Sequence, residues 1–303
     1  MNIYIKSFNR PFYLDRCIRS IKFNISNYTN IIILDDGTLS KYIKKLEEIH
    51  PDVKWISSGA DDNKFELLRN EQFEEIKRKY IEPAEFWFNE LLNENGDYFL
   101  LLEDDVWLVQ SLNLELIKHN LINNNCVILK FWWNILEQPL ESEKIIYLPN
   151  NNEVNYFSSS LCDLSNIGIF WIVAFAIYRK DFWLNNFKKV KRMGDEQTQF
   201  LNAFKFIREH RECSFAKTNI RFIHQGWAVP GRSTPEYYDK GLKQHLFMDA
   251  LNESWYNDEI DIMQNYPFDF EETYLVPILG KHLSEELINV WLDWKKNDVI
   301  YSY

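Results

Sequence analysis

Cysteine is scarce and scattered: Cys17, Cys126, Cys162 and Cys213 are the four in 303 residues. They form no CxxC pair, which excludes a zinc knuckle and a disulfide framework and predicts a reducing compartment, the cytoplasm. Positive charge is also in deficit, with 34 Lys and Arg against 45 Asp and Glu and a net charge of −11. Phosphate-backbone binding needs concentrated Lys and Arg, so no nucleic-acid partner is expected. An anionic small ligand remains admissible, because a divalent cation can bridge protein carboxylates to phosphates. No apolar run is long enough to span a bilayer, and the most apolar, Ile167 to Tyr178, is predicted as a buried strand. The opening MNIYIKSFNRPF reads as a first strand and lacks the features of a signal peptide. Only nine glycines occur, and none lies in KSFNRPF, which argues against a Gly-rich triphosphate cradle after the first strand. There is no internal repeat and no linker that divides the chain.

Aromatic residues, by contrast, are abundant, with 22 Phe, 16 Tyr and 11 Trp. A thick core, sugar-stacking surfaces and a membrane-facing patch all account for them. The first hundred residues alternate strand and helix signals. NIYIKSF is a strand; Pro11 then opens a helix with Leu14, Cys17, Ile18 and Ile21 on one face. IIILDDGT is a strand stopping at Asp35 and Asp36, LSKYIKKLEEI an amphipathic helix and VKWIS a third strand. Helical sequence from about Phe65 to Asn93, broken near Pro83, leads to the strand DYFLLLEDD. This alternation predicts a parallel sheet with helices on both faces, and such sheets bind ligands beyond the carboxyl ends of their strands. Two of these strands end in acidic pairs, Asp35 with Asp36 and Asp104 with Asp105.

Farther on, CVILKFWW reads as a strand, Glu137 to Asn166 as irregular surface sequence, and DEQTQFLNAFKFI as a helix with Phe200, Phe204 and Ile207 on one side. IRFIHQ is a strand leading into the loop GWAVPGRSTPEYYDKG, and LSEELINVWLDWKK is a C-terminal helix. Apolar residues running into Glu103, Asp104 and Asp105 suit a hard divalent cation that leaves room for substrate phosphates. The plainer alternative is a solvated acidic turn, or one capping a helix near Ser111.

Taken together and in order, FNRPFYLDRCIRSI, IIILDDGT and NGDYFLLLEDDVWL resemble the nucleotide-sugar-dependent glycosyltransferases of the GT-A fold, family 2-like. The resemblance covers roughly the first 110 residues. It implies an α/β, Rossmann-like GT-A fold: a mixed, mostly parallel sheet flanked by helices, with a C-terminal helical extension. Residues 1–225 would form the nucleotide-sugar-binding and catalytic domain, and 226–303 a lid loop and helical extension packed on it. Arg10, Asp36 with Asp35 as competitor, and Glu103 or Asp104 would contact the nucleotide sugar. Asp105 would bind Mn²⁺ or Mg²⁺ in a DxD-type motif that here reads Glu-Asp-Asp.

Arg69 and Asn70 could serve the nucleotide, though a solvated helix face is the better reading. An inverting transferase of this class needs a carboxylate base, and Asp195, ahead of Glu196, both opening a helix, is the candidate; helix capping explains them equally well. His224 would be a further metal ligand or a structural histidine. Arg232 would clamp the diphosphate or be an ordinary surface arginine, and Trp132 and Trp133 would line the acceptor cleft or pack in the core. The reading that results is an inverting, metal-dependent transferase. It moves a sugar from a nucleoside diphosphate donor, UDP favoured, to a glycan or lipid-linked acceptor in bacterial surface polysaccharide synthesis. The resemblance and the Asn, Lys and Ile usage imply that bacterial setting. Cytoplasmic residence, with peripheral contact at the inner membrane face and oligomerisation left open, accompanies it. The alternatives are a non-catalytic nucleotide- or glycan-binding protein and a sugar nucleotidyltransferase.

Overall fold

The computed structural model describes residues 1–131, 144–148, 153–162, 171, 175–188, 190, 195–226 and 244–298. The first part of the chain runs β1 (Asn2–Ser7), α1 (Pro11–Asn24), β2 (Ile25–Ser26), β3 (Ile31–Asp35), α2 (Ser40–Ile49) and β4 (Lys54–Ser57). Then come α3 (Asp62–Arg69), α4 (Phe73–Lys79), α5 (Pro83–Leu92), β5 (Tyr98–Glu103), β6 (Val106–Leu108), β7 (Leu112–Asn113), α6 (Leu114–Asn123) and β8 (Cys126–Lys130). Next are β9 (Lys144–Tyr147), β10 (Glu153–Ser158), β11 (Ala176–Arg179), α7 (Lys180–Phe187), α8 (Glu196–Glu209), β12 (Ser214–Thr218) and β13 (Ile223–Gln225). The helices α9 (Gln244–Tyr256), α10 (Glu272–Leu279) and α11 (Glu285–Asp298) complete the described chain.

Among the described residues, nine strands form one sheet in the order β4-β3-β1-β5-β11-β8-β12-β10-β9. Only β11 and β10 run against the others, so the expected mostly parallel mixed sheet flanked by helices is the architecture the chain adopts. The central strands are continuous apolar runs because both their faces are covered. Ile31 to Asp35 and Tyr98 to Leu102 are buried throughout. On α1, Leu14, Cys17, Ile18 and Ile21 are fully buried, as their spacing predicts.

The register sets the level at which the strands end. Ser7 lies beside Asp35, and Lys6 beside Glu103. Beyond these pairs, Asp36 N–H donates to Ser7 O (3.0 Å) and Asp104 N–H to Lys6 O (3.1 Å), so both acidic pairs flank the end of β1. The predicted helical insert resolves into α3, α4 and α5, with Pro83 as the first residue of α5. On α8 the buried face is Gln199, Ala203, Phe206 and Ile207, whereas Phe200 and Phe204 are only partly buried. The polar Gln199 is drawn inward by Trp171 Nε1, which donates to its Oε1 at 3.2 Å. Helix α6 is capped by Asn113, which accepts from Glu115 and Leu116 N–H, and not by the acidic turn.

Candidate active site

The acidic turn after β5 is not solvated: Asp104 is 0% and Asp105 4% exposed. Burying ionised carboxylates is costly unless they are paired. Arg10, the residue before Pro11, supplies the pairing. Its Nη2 lies 2.8 Å from Asp104 Oδ1 and its Nη1 3.2 Å from Asp105 Oδ2. Phe8 N–H donates to Asp104 Oδ2 at 3.1 Å. Glu103, the most accessible of the three acids, pairs with Lys6 at 2.8 Å, and that ammonium sits 5.1 Å from the Trp87 ring. Burial pushes Asp105 up to about 7, with Glu103 and Asp104 adding to the rise and Arg10 opposing it. For Glu103 burial acts the same way, but Lys6 and Arg10 together outweigh it and hold that carboxyl below its usual value.

The second acidic pair divides its labour. Asp35 accepts from Gly37 N–H (3.1 Å), from Thr38 N–H (3.1 Å) and from the Thr38 hydroxyl, so it organises the turn into α2. Burial raises its carboxyl to about 6. Asp36 instead meets Lys64 Nζ at 2.7 Å, and Lys64 also donates to Asp36 O at 2.9 Å. Lys64 lies 5.4 Å from the Phe8 ring. Thr38 Oγ1 in turn accepts from Asn9 N–H (3.0 Å), and Asn9 Oδ1 accepts from Leu39 N–H (3.3 Å). Asn9 stands in the left-handed region (φ 47°), so this chain of bonds aims the neighbouring Arg10 at the acids.

His224 reaches the same rim on β13, which pairs antiparallel with β6 and sets His224 opposite Trp107 with ring centroids 4.8 Å apart. Gly226 N–H donates to Asp105 O at 2.6 Å. A Cβ on Gly226 would lie 2.5 Å from the Tyr13 ring and 3.0 Å from Asp105 O, so only glycine permits this approach.

Asp195 is the N-cap of α8, and its Oδ1 accepts from Thr198 N–H at 3.1 Å; Glu196 is exposed in the first turn. Helix α8 joins the start of β12 through a short turn, and 14 residues rise about 21 Å. Arg69 is half exposed and faces Asp249 at 3.4 Å, while Asn70 donates to Glu66 O, so both serve a solvated helix face. Arg232, Trp132 and Trp133 lie outside the described residues, as does most of the predicted lid loop.

For a divalent cation, the rim offers hard oxygen donors, and Asp105 Oδ1 is buried with no hydrogen-bond partner among the described residues. Among those residues no group of three His, Cys, Asp or Glu side chains converges on one point. The oxygen chemistry of Asp105 suits a hard divalent cation held by few protein donors. The sequence does not mark Lys6, Lys64 or Thr38, and it places Gly226 as a loop glycine without its close approach to Asp105 and Tyr13. Lysines near strand ends and on helices are ordinarily exposed, so nothing in their sequence context marks these two as buried partners.

No protein-family model matches this chain, and no curated protein matches it either. Among solved structures, it is similar to S. aureus TarS 1–349 in complex with UDP, at 10% identity over 93% of this chain and 70% of that one, TM-score 0.45. It is also similar to glucosyl-3-phosphoglycerate synthase from Mycobacterium tuberculosis in complex with Mn²⁺, uridine-diphosphate-glucose and phosphoglyceric acid. That likeness is 11% identity over 84% of this chain and 79% of that one, TM-score 0.44.

Proposed function

We propose that this protein is a metal-dependent glycosyltransferase that moves a sugar from a nucleoside diphosphate sugar, UDP favoured, to a glycan or lipid-linked acceptor. The observation that carries the reading is the convergence of Asp36 with Lys64, Glu103 with Lys6, and Asp104 and Asp105 with Arg10 around the end of β1. Two buried carboxylate sites beside three cations form a rim on which an imide or hydroxyl donor and a diphosphate each find a partner.

In this reading Asp36 accepts from the base, and Lys64 and Phe8 border it. Glu103, more accessible than Asp104, faces the ribose or sugar. Asp105 would hold Mn²⁺ or Mg²⁺ with His224 alongside, and the bound ion would neutralise the departing diphosphate. Arg10 gives the same diphosphate a bidentate partner. Asp195 or Glu196 takes the acceptor hydroxyl's proton in an inverting displacement, Glu196 being the one whose carboxylate is not committed to the cap. The helical extension beyond residue 226 packs on the donor domain and borders its loops. No helix among the described residues is long and apolar enough to cross a membrane. The cap made by Asp195 favours one second reading, a nucleotide-binding protein without turnover.

Calorimetric titration with UDP and GDP, each with and without Mn²⁺, tests the proposal on the wild type and on Asp105→Ala. Mn²⁺-dependent binding that Asp105→Ala abolishes is the expected result. Failure of both nucleotides to bind overturns it. Release of UDP from a sugar donor, lost in Glu196→Gln, separates turnover from binding alone.

A further inference from the structure

We propose that Arg10 is an internal counter-cation of the acidic rim, which occupies Asp104 and Asp105 in the absence of donor and must be displaced before a divalent cation seats on Asp105. The inference rests on the metal reading above and concerns this chain's own guanidinium.

Glu103, Asp36, Asp104 and Asp105 each have a protein cation, but the assignments are unequal. Lys6 serves Glu103 and Lys64 serves Asp36, one ammonium to one carboxylate. Arg10 alone spans two, at 2.8 and 3.2 Å, with Asp104 and Asp105 otherwise buried. A guanidinium fork in that position holds the place a divalent cation would take between the same oxygens. Asp105 Oδ1, buried and without a hydrogen-bond partner among the described residues, is the lone-pair site left over for a second cation.

The anchoring of Arg10 is in its backbone. Pro11 follows it at the first helical position, and Asn9 before it is tied to Thr38, Leu39 and, through its carbonyl, Asn252 Nδ2 at 3.0 Å. The Arg10 side chain caps nothing and is 19% exposed, so it can exchange partners while the loop stays fixed. A diphosphate offers the fork another bidentate anion. Metal and nucleotide should then bind cooperatively, because the nucleotide removes the guanidinium that the metal must otherwise displace. The coupling is reciprocal.

The test titrates Mn²⁺ alone into the full chain and follows the free-ion electron paramagnetic resonance signal, for wild type, Arg10→Gln and Arg10→Lys. If Arg10 holds the acids in nine-tenths or more of the molecules, Arg10→Gln binds Mn²⁺ about tenfold tighter than wild type. The gain disappears in Arg10→Gln combined with Asp105→Asn, and UDP enhances Mn²⁺ binding less in Arg10→Gln than in wild type. Arg10→Lys keeps the charge but loses the fork; should Arg10→Gln fail to fold, tighter Mn²⁺ binding by Arg10→Lys supports the proposal and equal binding overturns it. Wild type that binds Mn²⁺ in the presence of UDP, together with a folded Arg10→Gln that binds Mn²⁺ no tighter, overturns this inference and leaves the metal reading standing. Wild type that takes no Mn²⁺ even with UDP overturns both.

Discussion

Adjacent aspartates with the same apparent promise do different work here. Asp35 spends its carboxylate on Gly37 and Thr38, while Asp36 keeps a lysine partner at the rim. The two are indistinguishable in IIILDDGT; only the turn geometry separates them. Asp35 also makes a pH prediction. Burial raises its folded pKa to about 6 from an ordinary value of 3.8. A raised carboxyl contributes stability that is fully present below the unfolded value and is lost as pH rises through the folded one. Between pH 4 and 7 this group should therefore cost the fold on the order of 2 kcal/mol. Asp35→Asn should remove that slope, and urea denaturation of both proteins at pH 4.5, 5.5, 6.5 and 7.5 checks it. Parallel pH profiles for the two would sink the assignment.

The ribbon of β6 and β13 is the element that carries His224 to the acidic turn. It is short, three residues a side, and gains its position from Gly226 closing on Asp105 O and Tyr13. Because an added methyl has neither space nor a flexible neighbour to move, Gly226→Ala should destabilise by ~1–3 kcal/mol. It should also weaken Mn²⁺-dependent UDP binding by shifting Asp105. A thermal melt and a nucleotide titration on one preparation measure both, and a variant unchanged in either would show that the close approach is not required. In sequence, the strand FIHQ and its terminal histidine were legible from the apolar run; its pairing with β6, over a hundred residues earlier, was not. Helix α8 was legible as well, but its inward face was set by Trp171 meeting Gln199 and not by the hydrophobic pattern.

At the scale of the whole molecule, the turn between α9 and α10, and α9 itself, brace the N-terminal part of the chain through buried charge. Arg16 is fully buried, donating to Ile262 O (2.7 Å), Gln264 O (3.2 Å) and Phe268 O, with its guanidinium 4.5 Å from the Trp107 ring and 4.2 Å from that of Phe270. Asp15 accepts from Trp255 Nε1 at 2.9 Å and faces His50 Nε2 at 2.8 Å. A chain ended at residue 243 would strip Arg16 of these carbonyls and Asp15 of Trp255, and would uncover the apolar surface packed beneath them. Losing these charged hydrogen bonds, each worth about 1.5–3 kcal/mol, together with the apolar burial of Trp255, Phe270 and Leu279, should cost the shortened chain its cooperative melting transition. Calorimetry decides, and a shortened chain that melts within a few degrees of the full one would mean the extension is a separable unit. The sequence by itself determined the strand and helix order through β5, the two strand-ending acidic pairs and the last helix, because local periodicity and strand-ending carboxylates are short-range signals; the irregular reading of 137–166 missed β9 and β10, whose polar, alternating residues carry no apolar run. Only the tertiary structure decided that Arg10 bridges Asp104 and Asp105, that Lys64 belongs to Asp36, and that Asn252 and Trp255 hold Asn9 and Asp15 from far along the chain. Those contacts depend on which surfaces the sheet and helices bring together, and no spacing along the chain encodes them.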